Sequence, residues 1–150
     1  MKNQILIIQK CTLCFFSLMI FSSASAQSDT ANWPSQNLNI ENSRYSTLDQ
    51  INISNVDQLN ILWSFEPGLR DDIAQVTPLV VDGVMYLHSR ATMYALDATT
   101  GEELWRRILD SGPANGPVRG STYAEGRVYA YRGADLYAFD AETGAAVASF

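Results

Sequence analysis

An eight-residue run occurs twice, and its spacing limits what the chain can become. Tyr94-Ala95-Leu96-Asp97-Ala98-Thr99-Thr100-Gly101 returns as Tyr137-Ala138-Phe139-Asp140-Ala141-Glu142-Thr143-Gly144, at an offset of 43 residues. Gly83 and Gly126, Tyr86 and Tyr129, and Ala91 and Ala134 match at the same offset. A repeat of this length is one supersecondary unit that stacks on copies of itself. Within the first unit, Pro78 to Val81 is a short apolar strand, Asp82-Gly83 a hairpin turn, and Val84 to His88 a second strand. A turn near Ser89 to Ala91 leads to Thr92–Asp97, and Thr99 to Glu102 turns the chain into Leu104-Trp105-Arg106. The second unit runs through Thr122–Ala124, Glu125-Gly126, Arg127 to Tyr131, Leu136 to Asp140 and Gly144 to Phe150. Four short antiparallel strands in about forty residues is the size of one β-propeller blade. The pattern predicts an all-β β-propeller.

A piece of the same unit precedes the first. Leu62-Trp63-Ser64-Phe65 resembles Leu104 to Arg107 and Val147 to Phe150, with Trp63 standing 42 residues before Trp105. A lone outer strand ahead of a full blade is what ring closure requires, because it pairs with the last blade and leaves no open edge. A propeller needs 4–8 blades, and this chain holds about two four-stranded blades plus the closing strand. It therefore reads as the beginning of a longer protein.

The N-terminus differs in character. Lys2 and Lys10 flank an apolar run, Cys11 to Phe21, and Ala24-Ser25-Ala26 offers small residues for cleavage. Residues 1–26 read as a secretory signal cut after Ala26, the run being shorter than the ~20 residues of a spanning helix. Residues 27–65 form an N-terminal extension with the closing strand, and residues 66–150 the first two blades. Beyond the signal, eight arginines face sixteen acidic residues, a net charge of −8. That balance argues against a nucleic-acid partner, which requires a basic face. Cys11 and Cys14 fall in the signal's apolar run, so no thiol remains for a disulfide.

The element Ala95-x-Asp97-Ala98-x-Thr100-Gly101-x-x-x-Trp105 resembles the tryptophan-docking motif of the dehydrogenases that use pyrroloquinoline quinone (PQQ). Asp97 and Thr100 are suited to bind turn amides, Gly101 to supply a positive φ, and Trp105 to lie flat on the neighbouring blade. The second unit has Ala148 where the tryptophan would stand. Trp33-Pro34-Ser35, Asn42 to Asn52, Asn55 to Phe65 and Thr77 to Tyr86 resemble the family's N-terminal signature, extending the likeness from about Asn32 to Phe150. Trp33 and the Asn-rich stretch after it are expected to cover the outside of the propeller.

The resemblance implies an eight-bladed propeller in the periplasm, with PQQ in its central channel over a Ca²⁺ ion. The metal ligands and the catalytic aspartate belong to later blades, so no catalytic or metal-binding residue is assigned within the chain. Arg119, in Arg119-Gly120, matches an arginine that contacts the quinone and carboxylate oxygens of PQQ, and a guanidinium fork suits such oxygens. Gln75, in Gln75-Val76-Thr77-Pro78, falls where alcohol-oxidising members carry a glutamate, and the run is closer to sugar- and polyol-oxidising members. Asp110 to Pro117 holds no cysteine, whereas many soluble alcohol-oxidising members have an adjacent pair there. The implied activity is oxidation of an alcohol, polyol or sugar hydroxyl to a carbonyl, with electrons passing to a quinone or cytochrome. The competing reading is a non-catalytic, protein-binding propeller of the outer-membrane assembly type. His88 reads as a packed core residue, Asn52-Ile53-Ser54 as a turn and Arg70-Asp71-Asp72 as a solvated loop.

Overall fold

A computed structural model describes residues 32–68, 76–109 and 120–149. The signal with its cysteines, Arg70 to Asp72, Gln75, Asp110 to Pro117 and Arg119 lie outside the described residues. Seven strands account for the regular structure: β1 Leu79–Val81, β2 Val84–His88, β3 Thr92–Asp97, β4 Glu103–Ile108, β5 Thr122–Ala124, β6 Arg127–Arg132 and β7 Asp135–Asp140. They form two antiparallel meanders, β1-β2-β3-β4 and β5-β6-β7. Each meander follows from its turns. Asp82 and Gly83 both have positive φ, 50° and 80°, as do Glu125 and Gly126 at 51° and 72°. Two positive φ values in succession give the tight turn whose twist matches that of the flanking strands.

The 43-residue repeat is reproduced bond for bond. Ala98 N–H donates to Gly83 O at 2.9 Å and Ala141 N–H to Gly126 O at 2.9 Å. Likewise Asp97 bonds Glu102 O and Asp140 bonds Ala145 O, each at 2.8 Å. The expected fourth strand of the second unit, Gly144 to Phe150, is reduced to one bridge between Phe139 and Ala146. Val147 N–H adds a bond to Ala138 O at 2.9 Å, so the register matches blade one although no full strand forms. The closing segment Leu62 to Phe65 is likewise no strand, having no ladder partner among the described residues.

Alternation along β3 places two cores on the two faces of the first sheet. Met93 and Ala95 join Leu79, Val81, Tyr86 and Trp105 against Val128, Ala130 and Phe139 of the second sheet. Tyr94 and Leu96 join Leu87 on the other face, where Trp63 and Phe65 cover them. The first sheet is thereby buried on both faces, and every residue from Thr92 to Leu96 is buried.

Two tryptophan docks hold these layers together. An added Cβ at Gly144 would stand 2.6 Å from the Trp105 ring, and one at Gly101 would stand 2.6 Å from the Trp63 ring. Both glycines have positive φ, 67° and 77°, so the turn and the indole each require a residue without Cβ. Trp105 Nε1 donates to Ala141 O at 2.9 Å, and Trp63 Nε1 to Ala98 O at 3.3 Å. The turns themselves are tied by carboxylates: Asp97 Oδ1 accepts from the Thr99 and Thr100 amides at 2.8 Å. Asp140 Oδ1 accepts from the Thr143 amide and hydroxyl at 2.8 and 2.7 Å. A register shift between Ala95 and Leu96 leaves Leu104 as an extra residue on β4 and turns Trp105 toward the second sheet.

The N-terminal arm departs from expectation. Trp33 exchanges backbone bonds with Val80, at 2.6 and 3.1 Å, and Tyr123 N–H donates to Pro34 O at 2.8 Å. The arm thus lies along the β1 and β5 edges and stitches the two sheets, opposite the β4 edge where an outer cover was expected. The free N–H and C=O groups of those first strands account for its position. Asn52-Ile53-Ser54 is the expected turn, with Asn52 Oδ1 accepting from the Ser54 amide at 3.0 Å.

Candidate functional site

The two candidate cofactor residues precede the first strand of each sheet in sequence, Gln75 before β1 and Arg119 before β5. Both lie outside the described residues, but the chain beside each is described. At Gly120, where φ is 101°, an added Cβ would stand 3.8 Å from Thr77 O and 3.9 Å from Thr77 N. The entries to β1 and β5 are therefore in contact across the gap between the sheets. Ser121 is buried beside them, its hydroxyl 3.6 Å from the Met93 sulfur.

His88 closes β2 at the same end. Tyr86 pairs with Leu79, so continuing the antiparallel register brings His88 alongside Thr77 at the entry to β1. The imidazole is only 2% exposed, and neither ring nitrogen has a hydrogen-bond partner among the described residues. Tyr131 meets it edge-on, with ring centroids 6.5 Å apart. Burial holds His88 below the ordinary histidine pKa of 6.5, while the Gly120 backbone acts in the opposite sense. Adjacent polar groups are paired: Ser89 Oγ donates to Thr92 O and accepts from the Thr92 amide, both at 2.9 Å. An unpaired buried polar group costs ~1–3 kcal/mol, so His88 is a local exception in an otherwise satisfied turn. Its position opposite Tyr131 was legible from the repeat. Its unpartnered nitrogens were not, because burial of the ring depends on how the two sheets pack.

The other end of the first strands is different in kind. A cavity of about 670 Å³ lies under the N-terminal arm, lined by Asn32, Pro34, Leu38, Tyr45, Asp82 and Tyr123. It sits beside the turn after β1, at the opposite end of that strand from its entry at Thr77. Among the described residues no group of three His, Cys, Asp or Glu side chains is placed to hold a metal. No described helix is long and apolar enough to cross a membrane.

Meanders stacked face to face, each locked by an indole on a glycine turn, define a β-propeller of the quinoprotein type. The chain belongs to the PQQ family, described as the glucose/ethanol/alcohol dehydrogenase β-propeller domain, whose model matches residues 33–150. It is 38% identical over 129 residues to the dehydrogenase subunit of the quinone alcohol dehydrogenase of Gluconacetobacter polyoxogenes, covering 79% of this chain and 17% of that protein. It is 36% identical over 125 residues to the quinohemoprotein alcohol dehydrogenase of Comamonas testosteroni, covering 77% of this chain and 17% of that one. The solved structure of quinohemoprotein alcohol dehydrogenase ADHIIG from Pseudomonas putida HK5 superposes with a TM-score of 0.70 at 35% identity, over 78% of this chain and 18% of that one. The chain thus spans about a sixth of the length of these relatives.

Proposed function

We propose that this chain is the N-terminal part of a periplasmic PQQ-dependent dehydrogenase that oxidises an alcohol, polyol or sugar hydroxyl to a carbonyl. The observation that carries the proposal is the meeting of the β1 and β5 entries at Thr77 and Gly120, within a family match covering residues 33–150. Gln75 and Arg119 adjoin those entries in sequence.

Arg119 would hold PQQ by a charge-assisted fork on its carboxylate and quinone oxygens. Gln75 would add an uncharged donor and acceptor without setting a second negative charge beside those carboxylates. PQQ supplies the two-electron acceptor that the protein's own side chains lack. Ca²⁺ is expected to be held by residues beyond 150, and the electrons to leave to a quinone or cytochrome. The signal at residues 1–26 supports export. The compared relatives carry the alcohol dehydrogenase name, whereas Gln75 and the absence of cysteine from Asp110 to Pro117 favour a polyol or sugar.

The test is dye reduction by the whole protein loaded with PQQ and Ca²⁺, run across primary alcohols, polyols and aldoses. Turnover of at least one class is expected, and Arg119→Ala should weaken PQQ binding. Lack of turnover with every class would overturn the activity. The 150-residue chain alone is expected to be inactive.

A further inference from the structure

The N-terminal arm meets two strand edges within the length of one residue. Trp33 exchanges backbone bonds with Val80 of β1 at 2.6 and 3.1 Å, and the next carbonyl, Pro34 O, accepts from the Tyr123 amide of β5 at 2.8 Å. Ser35 then bridges to Thr122, and Asn32 is clasped to Asp82 by two bonds of 3.0 Å. Across the sheets, at β4, the gap to the second sheet is spanned by whole side chains, the Trp105 indole and the Arg107 guanidinium. The two sheets therefore converge at β1 and β5 and splay toward β4. Sheets that splay in this way stand around an axis, and their converging edges line a central channel. The arm follows those edges, which places it inside the ring.

Beyond Ser35 the arm doubles back as a stiff loop. Asn37 Nδ2 donates to Asn42 Oδ1 at 2.7 Å, and Arg44 Nε donates to Asn37 Oδ1 at 2.8 Å. Leu38, Asn42 and Arg44 all have positive φ, 74°, 56° and 50°, a backbone that persists where its surroundings fix it. Yet the loop and the chain after it turn apolar side chains outward: Ile40 is 93% exposed, Tyr45 71% and Leu48 51%. We propose that the arm is an internal plug of the channel, and that Ile40, Tyr45 and Leu48 are covered in the whole protein by the first strands of later units, beyond Phe150. Those strands would present around the ring the same inner edges that β1 and β5 present to Trp33 and Pro34. The contact continues an interface the arm already makes with two successive units. The chain spans about a sixth of the length of its relatives, which leaves further units to supply those edges. The inference rests on reading the chain as part of a longer propeller and does not depend on the cofactor.

The experiment uses the whole protein with Ile40→Cys and, as a control on the perimeter strand β4, Arg106→Cys, where the native side chain is 63% exposed. Residues 27–150 hold no cysteine, and the unsubstituted protein corrects for any thiol further on. Each variant is treated with a polyethylene-glycol maleimide, native and in denaturant. Ile40→Cys should react at least about tenfold more slowly in the native protein, because reaction must await local opening. Arg106→Cys should react at nearly the same rate in both, and the protection at Ile40→Cys should not change with protein concentration. Rapid native reaction of Ile40→Cys would overturn the proposal. Protection that vanishes on dilution would also overturn it, since a second copy would then be the cover. Protection of Arg106→Cys as well would sink the ring reading, and this inference with it. Should Ile40→Cys not fold, hydroxyl-radical footprinting of the unsubstituted protein decides at Tyr45. Weak oxidation there supports the plug, and oxidation as strong as in denaturant overturns it.

Discussion

Trp63 and Trp105 each lay an indole over a glycine turn of the next unit, but they are carried by different supports. Trp105 belongs to β4, is 7% exposed, and shares its acceptor, Ala141 O, with the Tyr86 hydroxyl at 3.2 Å. Arg107, two residues on, donates to Gly144 O at 2.6 Å and Thr143 O at 3.2 Å. Burial, with the charges of Tyr123, Asp82 and Asp140 adding to it, pushes the Tyr86 hydroxyl up to about 12. Trp63 comes from a segment with no ladder and is partly exposed. Its hydrogen bond is longer, at 3.3 Å, and its companion contact is Phe65 edge-on to Tyr94 at 5.1 Å. The glycine approach is nonetheless the same 2.6 Å in both. The turn motif therefore sets the indole's position, and the supporting strand sets how firmly it is held.

The largest effect should separate the two docks. Trp105→Ala removes a buried aromatic and should cost ~3–5 kcal/mol in urea unfolding of the whole protein, with Trp63→Ala costing about half as much. Equal costs would erase the distinction. Next come the glycines. Gly144→Ala adds overpacking against Trp105 to the left-handed strain, about 2–4 kcal/mol together, whereas Gly83→Ala, with no heavy atom within 4 Å, should cost only the ~1–2 kcal/mol of strain. In the double variant with Trp105→Ala, part of the Gly144→Ala cost should disappear. Arg107→Ala should cost about 1 kcal/mol and act on the second dock alone.

The smallest effects are those of pH. The Thr100 and Thr99 amides hold the Asp97 carboxyl below its ordinary 3.8, and the Thr143 hydroxyl and amide do the same for Asp140. Depressed carboxylates contribute stability above their unfolded value and lose it as pH falls through the folded one. Both turns should therefore weaken together below about pH 3.8. His88 works at higher pH: the unfolded chain takes up a proton near 6.5 while the buried ring resists. Stability should fall as pH drops below 6.5, and His88→Phe should flatten that slope in a series of denaturant midpoints.

The repeat carried most of the fold because its cues are local. Asp82-Gly83, Glu125-Gly126 and the Asp97 and Asp140 turns each fix their own hairpin, and the strands followed within a residue or two. What stayed hidden depends on distant partners. The arm at Trp33 finds its edge through Val80 and Tyr123, far along the chain, so nothing near Trp33 announces the pairing. The bulge at Leu104 is a mismatch between β3 and β4 and belongs to neither strand alone. The Gly144 to Phe150 segment has the composition of a strand but reaches only a single bridge. Of the candidate site, the strand entries were legible from the pairing of Gln75 and Arg119 with successive units. The unpartnered state of His88 required the fold.

Titration of PQQ into the whole apoprotein, with Arg119→Ala alongside, tests the central claim most directly. Saturable one-to-one binding by wild type, weakened by at least about tenfold in the variant as for loss of a charge-assisted pair, is the predicted result. Absence of saturable binding by wild type would contradict the assignment of this propeller to PQQ chemistry.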